Sequence, residues 1–90
     1  MRDIEVTQPS QDEILQLDIG KWSPWECNPS EFQRTYDKEE WFFLIEGKAV
    51  IKIGGGRQIS IGKGDLVKLP EGTVCDWRVF ENIRKVYTFR

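Results

Sequence analysis

Turn residues recur roughly every 8–12 residues from Gly20 to the end of the chain, and this spacing limits the possible folds. The intervals between the turns are rich in aromatic and β-branched residues that alternate with polar ones, which is typical of short strands. About eight strands are predicted, and the clearest of them cover residues 40–46, 49–53, 65–69 and 73–80. The first of these is predicted to end at Gly47, and the last is followed by a predicted turn at Glu81-Asn82. No stretch supports the helical crossover that parallel strands need. The pattern therefore predicts an antiparallel all-β sandwich, jelly roll or small barrel.

The first twenty residues have a different character. A β-like start at 4–7 is followed by Ser10-Gln11-Asp12-Glu13, a capping box in which Ser10 and Glu13 satisfy each other's backbone amides. We predict a single short helix over roughly residues 10–17, ended by Gly20. Its apolar side consists of Ile14, Leu15 and Leu17.

Size and composition narrow the class of protein. A chain of 90 residues forms one domain, 1–90. Because 39% of its residues are hydrophobic and 31% are charged, the chain is too apolar to be disordered and too charged to span a membrane. A net charge of −2 argues against nucleic acid as a partner. The N-terminus has no apolar segment of a signal peptide, so we expect a cytoplasmic protein without a membrane partner.

The chain contains no histidine, which excludes histidine general bases, Ser-His-Asp triads and histidine metal ligands. Its two cysteines, Cys27 and Cys75, form no zinc-binding pattern. Two reduced thiols are the interpretation we prefer, and a single disulfide is the alternative. The Gly54-Gly55-Gly56 run is interpreted as a hairpin turn, because no helix follows to bind phosphate.

Two spaced motifs resemble those of the cupin superfamily. Glu40 is followed after six residues by Gly47, as at the end of the first cupin motif, and Gly64 to Gly72 fits G-x5-P-x-G of the second. The resemblance covers roughly residues 20–89 and implies an antiparallel double-stranded jelly-roll β-barrel. Further similarity is to the short single-domain cupins related to ureidoglycine aminohydrolase and to the ethanolamine-utilisation cupins. It rests on Trp25-Glu26-Cys27, Tyr36-Asp37, Gly62 to Gly72, Cys75-Asp76-Trp77 and Arg84-Lys85.

The chain departs from the cupin pattern at the metal ligands. The positions of the three motif histidines fall on Arg34, Tyr36 and Cys75, and that of the asparagine falls on Val79. Glu40 is retained. We therefore expect no metal and no other cofactor, because Arg34 would repel a cation and too few ligands remain.

Strand alternation, anchored on the motif positions, predicts the barrel interior. The inward residues are Phe32, Arg34, Tyr36, Glu40, Phe42, Leu44, Cys75, Trp77 and Val79. The candidate ligand-binding residues among them are Arg34, Tyr36, Glu40, Cys75 and Trp77. Arg34 suits a carboxylate or phosphate, and Tyr36 supplies a hydrogen bond. Glu40 and Cys75 are the candidate catalytic residues.

Each of these residues also has a purely structural interpretation. Arg34 and Glu40 can simply neutralise each other, Cys75 can be a small buried hydrophobic residue, and Tyr36 and Trp77 can belong to the core. Basic residues interspersed with acidic ones, such as Arg84-Lys85 near Glu81, are predicted to be a solvated surface.

The strand at 40–46 is apolar on both faces, because Trp41, Phe43 and Ile45 alternate with the inward residues. The outer face of a monomeric barrel is normally polar. A cover is therefore expected, either the Trp22/Trp25 segment with the helix or a second subunit, and we favour a homodimer.

Three functions remain open at this point. We favour a barrel that binds a small polar or anionic molecule. The alternatives are a metal- or thiol-dependent enzyme similar to ureidoglycine aminohydrolase, and a filled barrel with a structural or interaction role. Whether the protein is an enzyme is left undecided.

Overall fold

A computed structural model of the chain describes residues 4–54 and 56–90. These residues form seven strands, one α-helix and one 3₁₀ turn, and all strand pairs are antiparallel. The elements are β1 Glu5–Thr7, α1 Gln11–Gln16, the 3₁₀ turn Ile19–Lys21, β2 Ser23–Cys27, β3 Ser30–Thr35, β4 Glu40–Ile53, β5 Arg57–Gly62, β6 Leu66–Leu69 and β7 Val74–Phe89.

Two long strands, β4 and β7, organise the molecule. They pair with each other along most of their length, with Phe42 opposite Tyr87 in one half and Ile51 opposite Trp77 in the other. One half is extended by β6 and β1 beside β4 and by β2 beside β7. The other half is extended by β5 beside β4 and by β3 beside β7. The strands thus form two halves of one continuous, folded sheet.

The two halves face each other across the core. Phe42 lies in the first half and Trp77 in the second, yet their ring centroids are 5.6 Å apart. The predicted inward residues Phe42, Leu44, Cys75, Trp77 and Val79 are buried, and Ala49, Ile51 and Ile83 of the same two strands are buried with them. This arrangement confirms the antiparallel jelly-roll fold with one short N-terminal helix.

Two predicted turns are wrong, because both are places where a strand continues. Gly47 was expected to end a strand and Glu81-Asn82 to separate two others, but β4 and β7 run through them with shifts in register. Gly47 has φ +104° and packs so closely on β7 that an added Cβ would meet the Asn82 carbonyl oxygen and lie 2.8 Å from the Ile83 Cα. Glycine is needed here for a bulge that bends the sheet.

The N-terminal helix has the predicted capping box but a different end. The Glu13 amide donates to Ser10 Oγ at 3.2 Å, and the Ser10 amide donates to Glu13 Oε1 at 3.3 Å. The helix ends at Gln16, and Gly20 lies within the 3₁₀ turn that follows. No helix residue is buried, and Leu15 is 72% exposed, so the predicted apolar side of the helix does not cover the barrel. Ile19 in the 3₁₀ turn is buried in its place.

The turn from Pro70 to Thr73 holds the chain in place just after the end of β3. The Gly72 amide donates to the Tyr36 carbonyl at 2.7 Å, and the Tyr36 amide donates to the Thr73 carbonyl at 2.9 Å. Gly72 has φ +88°, a conformation that glycine adopts without steric cost. These bonds fix the residues after β3 against the barrel.

No helix among the described residues has both the length and the apolar character to cross a bilayer.

Candidate functional site

Glu40, the first residue of β4, is a buried carboxylate between two cations. It is 1% exposed. Its Oε1 lies 3.4 Å from Arg34 Nη2, and its Oε2 lies 3.3 Å from Lys85 Nζ. A buried charge is tolerated only where it is paired and hydrogen-bonded, and Glu40 meets that requirement with both oxygens. The three side chains carry two positive charges and one negative charge when all are ionised.

Lys85 is the buried member of this cluster on β7. It lies between Trp25 of β2 and Leu44 of β4 in the sheet and is 2% exposed. Its Nζ is 4.1 Å from the ring centroid of Phe42, 4.7 Å from that of Trp25 and 5.0 Å from that of Trp77. An ammonium group over aromatic faces is attracted by their quadrupoles, which offsets part of its lost hydration.

Burial lowers the pKa of Lys85 to about 8, against the opposing attraction of Glu40. Arg34 adds to the lowering, since two cations share one carboxylate. Lys85 is therefore mainly an ammonium at neutral pH and loses its charge just above it.

Arg34 lies at the mouth of the cluster, near the end of β3. Its side chain is 35% exposed, so it contacts solvent as well as the buried Glu40. The guanidinium carbon is 5.2 Å from the ring centroid of Tyr36, which orients it. The contact with Glu40 involves Nη2 of a group with five N–H donors, which leaves donors able to reach a ligand.

A cavity of about 140 Å³ opens beside this cluster. It is lined by Trp25, Arg34, Glu40, Lys85 and Tyr87. The volume is on the order of that of five water molecules in the liquid, which suits a small ion or molecule and not a drug-sized ligand.

Tyr36 and Trp77 lie next to the cluster but do not line this cavity. The Trp77 Nε1 donates to the Tyr36 hydroxyl at 3.1 Å, and both residues are 2% exposed. Burial, with the nearby Glu40 carboxylate, raises the pKa of Tyr36 well above its ordinary range. Tyr36 is therefore a neutral phenol, and Trp77 takes part mainly as one wall around Lys85.

Cys75 is paired with Arg34 across β3 and β7 but is completely buried. Burial, helped by Asp76 and Glu40, raises the pKa of its thiol to about 11. The thiolate is the nucleophilic form, so Cys75 is unreactive at neutral pH. It also lies outside the lining of the cavity. Cys27 and Cys75 are both free thiols.

The residues at the cupin ligand positions do not fit a metal ion. Both oxygens of Glu40 are engaged by cations, and the Tyr36 hydroxyl accepts from Trp77. Among residues 4–54 and 56–90, no three acidic or thiol side chains are grouped as ligands. A cation entering here would meet Arg34 and Lys85 before any free donor.

Lys85 was not a predicted site residue. It was expected on a solvated surface, because it follows Arg84 near acidic residues, and that prediction is wrong. Alternation could have found it, since Ile83 and Tyr87 flank it at even spacing in β7 and share its inward face. A lysine that alternates with apolar residues on the same face of a strand is the sequence signal that would have predicted its burial.

A larger depression, of about 550 Å³, lies on the outer face of the half formed by β3, β4, β5 and β7. Outward side chains such as Glu31, Lys52 and Arg78 line it, and the Phe80 side chain at its edge is 52% exposed. Arg34, Glu40 and Lys85 do not line it, and it shares with their surroundings the Trp77 side chain, which contacts Lys85 from the other side.

The antiparallel jelly roll, with Glu40 at the glutamate position of the first cupin motif, places the chain in the cupin class. Within it, the EutQ-like cupin domain family matches residues 15–87, and the chain belongs to that family. The crystal structure of a DUF861-family protein from Thermotoga maritima has 35% identity and a TM-score of 0.96. The alignment covers 98% of this chain and 100% of that one.

Longer proteins contain a similar domain. The EutQ protein of Clostridium difficile has 27% identity and a TM-score of 0.67 over 73% of this chain and 52% of its own. A DUF861-family protein of unknown function from Pseudomonas syringae has 29% identity and a TM-score of 0.68, over 74% of this chain and 29% of its own. No curated protein matches the chain.

Proposed function

We propose that this cupin binds a small anion, of the size of a short carboxylate, in the cavity beside Glu40. The observation that carries the proposal is the excess of cations: Arg34 and Lys85 both pair directly with one buried carboxylate, and all three side chains line a cavity of about 140 Å³. An anion entering the cavity would balance the second positive charge.

The exposure of the three charged groups supports this assignment. Arg34 is partly exposed at the mouth of the cavity, and only its Nη2 contacts Glu40, so its other N–H groups can bind a ligand in a bidentate way. Lys85 is buried and lies at the inner wall. Because Trp25 and Phe42 partly shield Lys85 from water, a charge-assisted hydrogen bond there is stronger than one at the surface. The site therefore suits a compact anion that reaches both cations.

The proposal is tested by titrating the protein with acetate, pyruvate and inorganic phosphate while following the Trp25 indole signal by NMR. Acetamide, which has the shape of acetate without its charge, is the matched ligand control. We expect saturable binding of at least one anion and none of acetamide. Arg34→Gln should weaken that binding by roughly tenfold or more, because it removes a charge-assisted contact.

The same titration has an expected pH dependence. Since the pKa of Lys85 is about 8, the ammonium is lost as the pH rises through 8, and the cavity then loses its excess positive charge. Affinity should be highest below pH 8 and fall above it. Binding that is unchanged by Arg34→Gln would place the anion outside this cavity and overturn the proposal, and no binding by any of the three anions would favour a filled barrel.

A further inference from the structure

Lys85 presents a primary amine to the cavity. We propose that this amine forms a reversible imine with the carbonyl carbon of a small 2-oxo acid, an inference that rests on the anion site proposed above. Three features carry it: an amine at the cavity wall, a carboxylate 3.3 Å from that amine, and a guanidinium at the mouth.

The surroundings of the amine favour its neutral, nucleophilic form. Lys85 is 2% exposed and enclosed by Phe42, Trp25 and Trp77. Burial lowers its pKa to about 8, so a useful fraction of the amine is unprotonated near neutral pH. Desolvated lysines of this kind are the ones that form imines with carbonyl compounds.

The positions of the cations define the class of ligand. A carboxylate held by Arg34 at the mouth would leave the adjacent carbon directed inward, toward Lys85. In a 2-oxo acid that adjacent carbon is a carbonyl. The cavity of about 140 Å³ restricts the ligand to the smallest members of the class, such as glyoxylate or pyruvate.

Glu40 can move the protons that the step requires. The neutral Lys85 nitrogen attacks the carbonyl carbon, a C–N bond forms, and the carbonyl oxygen becomes a hydroxyl. That hydroxyl then leaves as water when the C–O bond breaks, and the nitrogen lone pair closes the C=N bond. Glu40 carries two protons in turn: the first passes from the attacking nitrogen to the carbonyl oxygen and makes the hydroxyl, and the second passes from the carbinolamine nitrogen to that hydroxyl, which leaves as water. No oxidant or reductant is consumed.

The imine is tested by incubating the whole protein with pyruvate and sodium cyanoborohydride, which reduces an imine to a stable secondary amine. Intact mass spectrometry measures the adduct, and peptide mapping of the wild-type protein identifies the modified lysine. We expect one adduct at Lys85. Lactate, which keeps the carboxylate but has no carbonyl, should give none.

Lys85→Met should reduce labelling at least about tenfold, whereas Lys48→Met, at a lysine side chain that is 71% exposed, should leave it unchanged. Peptide mapping decides the question even if Lys85→Met does not fold. Labelling spread over surface lysines would overturn the imine. Pyruvate binding by NMR without an adduct would overturn the imine and leave the anion site intact, whereas failure of pyruvate and of the other anions to bind would remove both.

Discussion

At the scale of single residues, Glu40 is the most constrained side chain of the site. It is 1% exposed and is the carboxylate that pairs with Lys85, itself 2% exposed. Removing one partner of a buried pair leaves the other uncompensated, and the cost is typically about 3–5 kcal/mol. Arg34 can turn toward solvent when its partner is lost, because its side chain is 35% exposed.

Glu40→Ala should therefore lower the free energy of unfolding by about 3 kcal/mol or more, and Arg34→Ala by only about 1 kcal/mol or less. Urea unfolding measures both. The matched control is Glu31→Ala, which breaks a 3.0 Å pair with Arg78 between side chains that are 70% and 65% exposed and should cost under about 1 kcal/mol. If Glu40→Ala unfolds like the Glu31 control, the cluster does not form as described.

The residues at the cupin ligand positions show which features of the site can be predicted from the spacing of the motifs. Motif spacing predicted that Arg34, Tyr36, Glu40 and Cys75 lie beside one another. In the structure they are neighbours: Arg34 is in β3, Tyr36 directly follows that strand, Glu40 begins β4 and Cys75 is in β7. Motif spacing could not say which of them face empty space. Only Arg34 and Glu40 of the predicted residues line the cavity described above, because that depends on how Trp25 and Lys85 pack.

At the scale of elements, the bulge around Gly47 determines the shape of the sheet. The register between β4 and β7 shifts between Leu44 and Ala49, where the sheet folds back on itself. The close approach of Gly47 to Asn82 and Ile83 leaves no space for a side chain. The local pattern, a glycine between two strand-like runs, is the same for a turn and for a bulge.

Gly47→Ala should lower the free energy of unfolding by about 3 kcal/mol, since it adds a steric overlap with backbone to the cost of a positive φ. Thermal or urea unfolding provides the measurement. Gly64→Ala is the control, because Gly64 has φ +89° with nothing within 4 Å of an added Cβ, and it should cost only about 1–2 kcal/mol. Equal effects of the two substitutions would show that the bulge tolerates a side chain.

At the scale of the whole molecule, the outer face around Trp41 and Phe43 remains apolar and only partly covered. Both residues are half-buried, and Ile45 is 38% exposed. Lys68 and Arg90 lie 4.2 Å and 4.4 Å from the Trp41 ring centroid and shield part of it. The helix leaves Leu15 exposed, and Trp25 packs inward against Phe32. Trp22 reaches this face through Arg90, whose guanidinium carbon is 5.8 Å from the Trp22 ring centroid, so the expected cover is only partial.

We therefore still predict a homodimer through this face. Sedimentation at about tens of micromolar should give a dimer for the wild type and a monomer for Ile45→Glu, since a buried charge opposes association. Phe80→Glu, on the outer face of the opposite half, is the control and should remain dimeric. A monomeric wild type would contradict the prediction, as would a dimer that Phe80→Glu alone dissociates.

The sequence by itself determined the class of fold, because turn residues and alternating strands act locally and can be recognised without knowing the partners of each strand. It also determined the capping box and, with the motif positions as anchors, the burial of Phe42, Leu44, Cys75, Trp77 and Val79. Only the tertiary structure decided that Gly47 continues a strand, since that depends on the distance between two backbones. It also decided that Lys85 is buried, because the partners that stabilise its charge, Glu40 and the rings of Phe42 and Trp25, come from distant parts of the chain.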